Sequence, residues 1–122
     1  MPDTKIDPVA GIPPGAYLVF NQTIFPLSLP VTHIGRKPEN DLVIQDISVS
    51  RFHAQIRVEK GNFVLHDLNS HNGTIVNQTK VSDLVLKPGT LVYFGNVMVV
   101  FVQEDRRVTE NLEQDTGELA HQ

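Results

Sequence analysis

Short apolar runs recur along the chain with a period of two, and turn-forming residues separate them. The clearest case begins at residue 53, where Ala54, Ile56 and Val58 alternate with Gln55 and Arg57. The alternation breaks at Lys60-Gly61-Asn62 and resumes over residues 63–66. Side chains in an extended strand point to opposite faces in turn, so two such runs around a glycine predict a hairpin. Similar runs fall at residues 16–20 and 23–25, flanking Asn21-Gln22 as a tight turn. Others lie at 31–34, 41–44, 74–76, 79–81, 91–94 and 97–102, with turns expected at Asn72-Gly73, Lys87-Pro88-Gly89 and Gly95-Asn96. Nothing in this body repeats at helical spacing. The pattern therefore predicts an all-β domain, a sandwich or barrel of short, mostly antiparallel strands.

The two ends differ from that body. Residues 1–15 contain Pro2, Pro8, Pro13 and Pro14 with Gly11 and Gly15, a composition that sustains neither a helix nor an interior strand. A mobile arm is expected there. Residues 104–122 carry Glu104, Asp105, Glu110, Glu113, Asp115 and Glu118 against Arg106 and Arg107, a balance of −4. Val108, Leu112 and Leu119 are too few apolar residues there to hold a packed helix. The expected division is an arm at 1–15, one domain at 16–103 and an acidic tail at 104–122.

Charge and composition narrow the function classes. The whole chain of 122 residues has a net charge of −4, so the body without its tail is neutral. Nonspecific nucleic-acid binding needs many phosphate-neutralising cations, and no nucleic-acid partner is expected. The longest apolar run, residues 97–102, is far short of the roughly 20 residues that span a bilayer. The first residues carry no basic-then-apolar signal pattern. No membrane partner and a cytoplasmic location are expected. The chain contains no cysteine, which removes disulfides, Cys-ligated zinc and thiolate chemistry.

Chemistry-bearing residues concentrate between the strands. Three segments stand out: Gly35-Arg36-Lys37, the run from Ser48 to Ala54, and the run from Asn69 to Asn77. A β-sandwich gathers its loops at two ends, so segments distant in sequence can meet. Together they offer fixed positive charge, hydroxyls and an amide, the donor set that a phosphoryl dianion requires.

At these positions the chain resembles the forkhead-associated (FHA) domain, a phosphothreonine-binding β-sandwich with its ligand loops at one end. The family pattern reads here as Gly35-Arg36, then Ser50-Arg51-Phe52-His53, then Ser70-His71-Asn72-Gly73-Thr74-Ile75-Val76-Asn77. Asn40-Asp41 with Leu42 and Ile44, and Asp67-Leu68, match weaker features. Gln78 stands where the family often has glycine. The resemblance implies that Arg36 and Ser50 bind phosphate oxygens, with Arg51 and His71 as further donors. It implies that Asn72 holds the ligand backbone, since an amide both donates and accepts. Gly35, His53, Gly73 and Asn77 would brace the loops, and Ser48 would face the ligand's third residue after the phosphothreonine. The implied partner is a phosphothreonine-containing protein downstream of a Ser/Thr kinase, recognised without catalysis and without a cofactor.

Two other readings compete. One is a phosphate-independent interaction domain of the same fold. The other is a hydrolase built from Ser50, His53 and Asp67, although no Gly-x-Ser-x-Gly elbow is present. A zinc site from His33, His53, His66 and His71 is not expected, because no pair has metalloprotease helix spacing. A Walker-type nucleotide loop is missing as well. In the tail, Arg106-Arg107-Val108-Thr109 resembles a basophilic kinase site, making Thr109 and, further on, Thr116 candidate phosphorylation sites. Six residues from Gln103 reach at most about 20 Å. A phosphorylated Thr109 would therefore pair molecules, whereas Thr116 could reach the pocket of its own molecule.

Overall fold

The computed structural model describes residues 11–104. In chain order the strands are β1 (Ala16–Phe20), β2 (Thr23–Pro26), β3 (Val31–Gly35), β4 (Leu42–Val43), β5 (Ala54–Glu59) and β6 (Asn62–Asp67). They continue with β7 (Thr74–Val76), β8 (Thr79–Lys80), β9 (Asp83–Val85), β10 (Leu91–Phe94) and β11 (Val97–Gln103). One sheet has the order β2-β1-β11-β10-β7-β8 and the other β4-β3-β5-β6-β9. The β3–β4 pairing is parallel and the other pairings are antiparallel. No helix among the described residues is long and apolar enough to cross a membrane.

The alternation in the sequence becomes the sandwich. Leu18, Val92, Phe94, Val99 and Phe101 of one sheet are buried, as are Ile34, Ile56, Phe63 and Leu65 of the other, all in one core. Phe63 and Phe101 meet across it with ring centroids 5.8 Å apart. Burying each such side chain contributes about 1.5–3 kcal/mol. Three hairpins close with paired left-handed residues: Asn21 and Gln22 (φ 52 and 63), Lys60 and Gly61 (52 and 78), Asn77 and Gln78 (53 and 63). This turn type matches the strands' right-handed twist. Gln78, which departs from the family's glycine, thus adopts the left-handed conformation without it.

One strand was not expected. β9 is a three-residue edge strand, Asp-Leu-Val, too short to show a period. Its place comes from Leu84 packing against the core and from registry with Leu65.

The outer faces of the sheets differ. On the five-stranded sheet, His33, Gln55, His66 and Asp83 form one cross-strand row. His66 there contacts both Glu59 (2.8 Å) and Asp83 (2.5 Å). On the six-stranded sheet, the outward positions from β2 to β7 are Ile24, Pro26, Tyr17, Val19, Met98, Val100, Val102, Leu91, Tyr93 and Ile75. Lys80, on β8, is the first charge reached.

The described chain enters and leaves at one end, where the Glu104 N–H donates to the Gly15 carbonyl at 3.0 Å. The Gly95-Asn96 turn lies at the other end of β11, against Ser48. That end holds the site.

Candidate functional site

The segments after β3, β4 and β6 converge on a pocket of about 690 Å³, lined by Arg36, Lys37, Arg51 and His71 together with residues 47–50, Phe52, Asn69 and Asn72. No acid lines it. The Arg36 backbone N–H donates to the Ser50 carbonyl (3.0 Å), and its Nε donates to the Val49 carbonyl (2.9 Å). Among the described residues these bonds fix the guanidinium stem and leave the two terminal nitrogens for a ligand. That is the fork geometry that suits a phosphoryl group.

Ser50 is held from both sides. Its N–H donates to His53 Nδ1 (3.0 Å), and its Oγ accepts the His71 N–H (2.9 Å). With that lone pair occupied, the hydroxyl proton is available to an incoming oxygen. Asn72 Nδ2 donates to the Ser48 carbonyl (2.8 Å), leaving Oδ1 and the second N–H for a peptide backbone.

Behind them, His53 is fully buried and edge-on to Phe94, with centroids 5.5 Å apart. Because Nδ1 accepts from Ser50, the proton sits on Nε2, which donates to the Gly73 carbonyl (3.1 Å). Desolvation lowers the His53 pKa, outweighing the Gly73 carbonyl and the Asp67 charge, which act the other way. Asp67 accepts from Ser70 N–H (3.0 Å), Ser70 Oγ (2.6 Å) and Thr74 Oγ1 (2.7 Å). Burial alone would raise its pKa, but these bonds and nearby His53 together hold it low. Ser70 Oγ in turn accepts the Gly73 N–H (3.0 Å).

Glycine is demanded at two places by close approach. A Cβ at Gly35 would lie 2.3 Å from the Arg51 carbonyl oxygen, and one at Gly95 2.3 Å from that of Ser48. In the family pattern Asn40 is only a weaker feature. It is buried, and its Nδ2 donates to the Lys37 carbonyl (2.9 Å) and the Arg51 carbonyl (2.8 Å), tying two loops together. The signal was available: an asparagine whose amide can bridge two carbonyls, just before an apolar strand.

Ser48 lines the pocket with its hydroxyl committed to partners within the protein. It is buried; its Oγ donates to Asp46 Oδ1 (2.6 Å) and accepts the Asn96 N–H (2.9 Å). Its hydroxyl shapes the loop, and Ile47, 93% exposed, presents its side chain at the pocket mouth. Asn77 sits in the β7–β8 turn, outside the pocket lining. Thr109 and Thr116 lie outside the described residues.

The hydrolase arrangement is overturned by geometry. His53 meets the Ser50 backbone N–H instead of its hydroxyl, and Asp67 lies 3.9 Å from Nε2, a nitrogen already bonded to Gly73. Among the described residues, no side-chain nitrogen is hydrogen-bonded to Ser50 Oγ to take its proton. The histidines are also separated: His33 pairs with Asp41 (3.0 Å), and His66 with Glu59 and Asp83.

Comparison with known proteins agrees with this site. The FHA domain family model matches residues 32–95, a span that holds the three loops just described. The glycogen accumulation regulator GarA of Mycobacterium tuberculosis is 35% identical over 106 residues, covering 82% of this chain and 65% of that protein. The oxoglutarate dehydrogenase inhibitor of Corynebacterium diphtheriae is 40% identical over 82 residues, covering 67% and 57%. The chain thus spans somewhat less than two thirds of the curated relatives it matches. A solved FHA domain described for phosphothreonine-dependent interactions superposes with a TM-score of 0.70 at 28% identity, covering 74% of this chain and 97% of that one. With its family signature and its sandwich in agreement, this chain belongs to the FHA domain family.

Proposed function

We propose that residues 16–103 form a non-catalytic reader of phosphothreonine segments, acting as an adaptor or regulator in Ser/Thr kinase signalling in the cytoplasm. The observation that carries this reading is the convergence of Arg36, Ser50 and Asn72, each fixed by a protein hydrogen bond that leaves its outward donors unspent. Arg36 and Ser50 take the phosphate oxygens, Arg51 and His71 add positive charge or donors, and Asn72 grips the backbone. Hydrogen bonds to a charged group contribute roughly 1.5–3 kcal/mol each, so a handful gives micromolar affinity without a large interface.

The relatives support a regulator whose target is another protein: one carries a name for regulating glycogen accumulation and one for inhibiting a dehydrogenase. By analogy, the partner here is a metabolic enzyme or a kinase that carries or receives phosphothreonine. The measurement is calorimetric titration with a phosphothreonine peptide and the same peptide dephosphorylated. Binding of the first alone is expected. Equal binding of both would favour the phosphate-independent reading.

A further inference from the structure

We propose that the outer face of the six-stranded sheet is a homodimer interface, by which two copies of this chain pair without phosphorylation. One register row runs Ile24, Val19, Val100 and Leu91 across four adjacent strands, with Met98 and Tyr93 in a neighbouring row. Ile24 is 63% exposed, Leu91 47%, Met98 46% and Tyr93 40%. Scattered surface hydrophobes need no explanation, but a contiguous face of this kind marks an interface. A sheet with one face on the core normally turns polar residues to water on the other. The five-stranded sheet sets His33, Gln55, Arg57, His66 and Asp83 among Val31, Val64 and Val85 on its outer face, whereas the face from β2 to β7 has no such charges.

The occupant follows from charge and area. Among the described residues, no charged side chain stands on the face between β2 and β7, so a two-fold operation that sets it against itself meets no like-charge repulsion there. Four strands about 4.8 Å apart and five residues long give a footprint of roughly 320 Å². With side-chain relief, that corresponds to roughly 600 Å² of accessible surface per copy, about 1,200 Å² in the pair, the lower bound for a specific interface. Two such faces can interdigitate as sandwich layers do. Residues 105–122 offer only Val108, Leu112, Leu119 and Ala120 among five acids, too little apolar surface to cover it. The pocket loops lie at the end of the sandwich and contribute nothing to this face. Both copies therefore keep free pockets, and a doubly phosphorylated or clustered ligand gains avidity.

The test is sedimentation equilibrium of the unphosphorylated full chain from about 5 to about 500 µM. The expected result is a weight-average mass that rises toward twice the monomer value. Leu91→Glu and Ile24→Glu should each remain monomeric throughout, with an unchanged circular dichroism spectrum and melting temperature near wild type. Arg36→Ala should dimerise like wild type, which separates this proposal from the phosphothreonine reading. A monomeric wild type at the highest concentration would overturn it. So would association that both face variants leave intact, or association that disappears with Arg36→Ala or when residues 105–122 are removed.

Discussion

At the loop end, polar groups are fixed by bonds within and between loops: Ser50 by His53 and His71, Arg36 by Val49, Asn40 by Lys37 and Arg51. On the outer face of the six-stranded sheet, Ile24, Leu91 and Met98 stand exposed, positioned by their own strands and the pleat. The first arrangement selects a ligand by placing few donors accurately, and a small displacement ruins it. The second gains by area and tolerates displacement, provided that no charge is introduced. Two kinds of recognition thus occupy separate surfaces of one sandwich, and substitutions should separate them.

The largest effect is expected from Gly35→Ala. The new Cβ would stand 2.3 Å from the Arg51 carbonyl oxygen and 2.7 Å from Asn40 Nδ2, so backbone must shift. Overpacking of this kind costs about 1–3 kcal/mol, which lowers the melting temperature by roughly 5–15 °C in a domain this size. Because Arg36 follows directly, phosphopeptide affinity should fall by about a hundredfold or more, roughly 2.8 kcal/mol. Dimerisation below the melting point should persist. Thermal melting and calorimetric titration check both parts; a folded variant that binds within twofold of wild type would show that this contact does not position Arg36.

Arg36→Ala removes the charge without moving the backbone. Binding should weaken at least tenfold, which needs only about 1.4 kcal/mol. The cost to stability should stay near the 1 kcal/mol of one exposed-loop hydrogen bond. Undiminished calorimetric binding in the folded variant would remove the phosphate-reader model and leave the face as the domain's one recognition surface.

Much of this contrast was legible in the sequence, and the part that was not has a physical reason. Short β-type runs between turn residues located every strand but β9, and at β5 and β6 period-two alternation marked them most clearly. Arg36, Ser50 and Asn72 were singled out by the family resemblance, and the fold lines one pocket with all three. What escaped was the use of hydroxyls and amides: Ser48 turns inward to Asp46 and Asn96, and Asn40 bridges two carbonyls. Hydrogen-bond partners 11 or 48 residues away leave no local signal. The apolar outer face also hid, since Val19 or Val100 inside an alternating run looks the same whether its row is apolar or polar across the sheet.

A pH series sharpens the contrast next, through His53. Its pKa lies below the ordinary 6.5 because it is buried neutral. As pH falls below about 6.5, the unfolded chain takes up a proton that the folded chain refuses, so stability declines. Above that pH the contribution is complete. Asp67, held below 3.8, adds a separate loss only in stronger acid, as pH falls through its folded value. His53→Gln should be less stable at pH 7.5 yet lose less on acidification to pH 5.5, read as melting temperature. Parallel slopes for variant and wild type would mean that His53 does not titrate on unfolding. Among the described residues the apolar face carries no histidine or carboxylate, so the dimer constant should stay flat among folded samples.

The smallest expected effect is the preference for phosphothreonine over phosphoserine, and it is where the two kinds of recognition meet. The pocket's polar floor is bordered by the exposed side chains of Ile47 and Phe52, so a ligand methyl has apolar surface to contact. Burying one such group is worth about 0.8 kcal/mol, or roughly fourfold in affinity. The β-branched side chain also has fewer rotamers to lose on binding, which adds to the preference. Matched peptides differing by that methyl should therefore differ about fourfold or more, by titration under one set of conditions. Charge alone cannot produce such a difference, because the two phosphates are equally charged. Equal affinity would show that the loop end reads only its fixed donors, and that recognition by apolar area is confined to the sheet face.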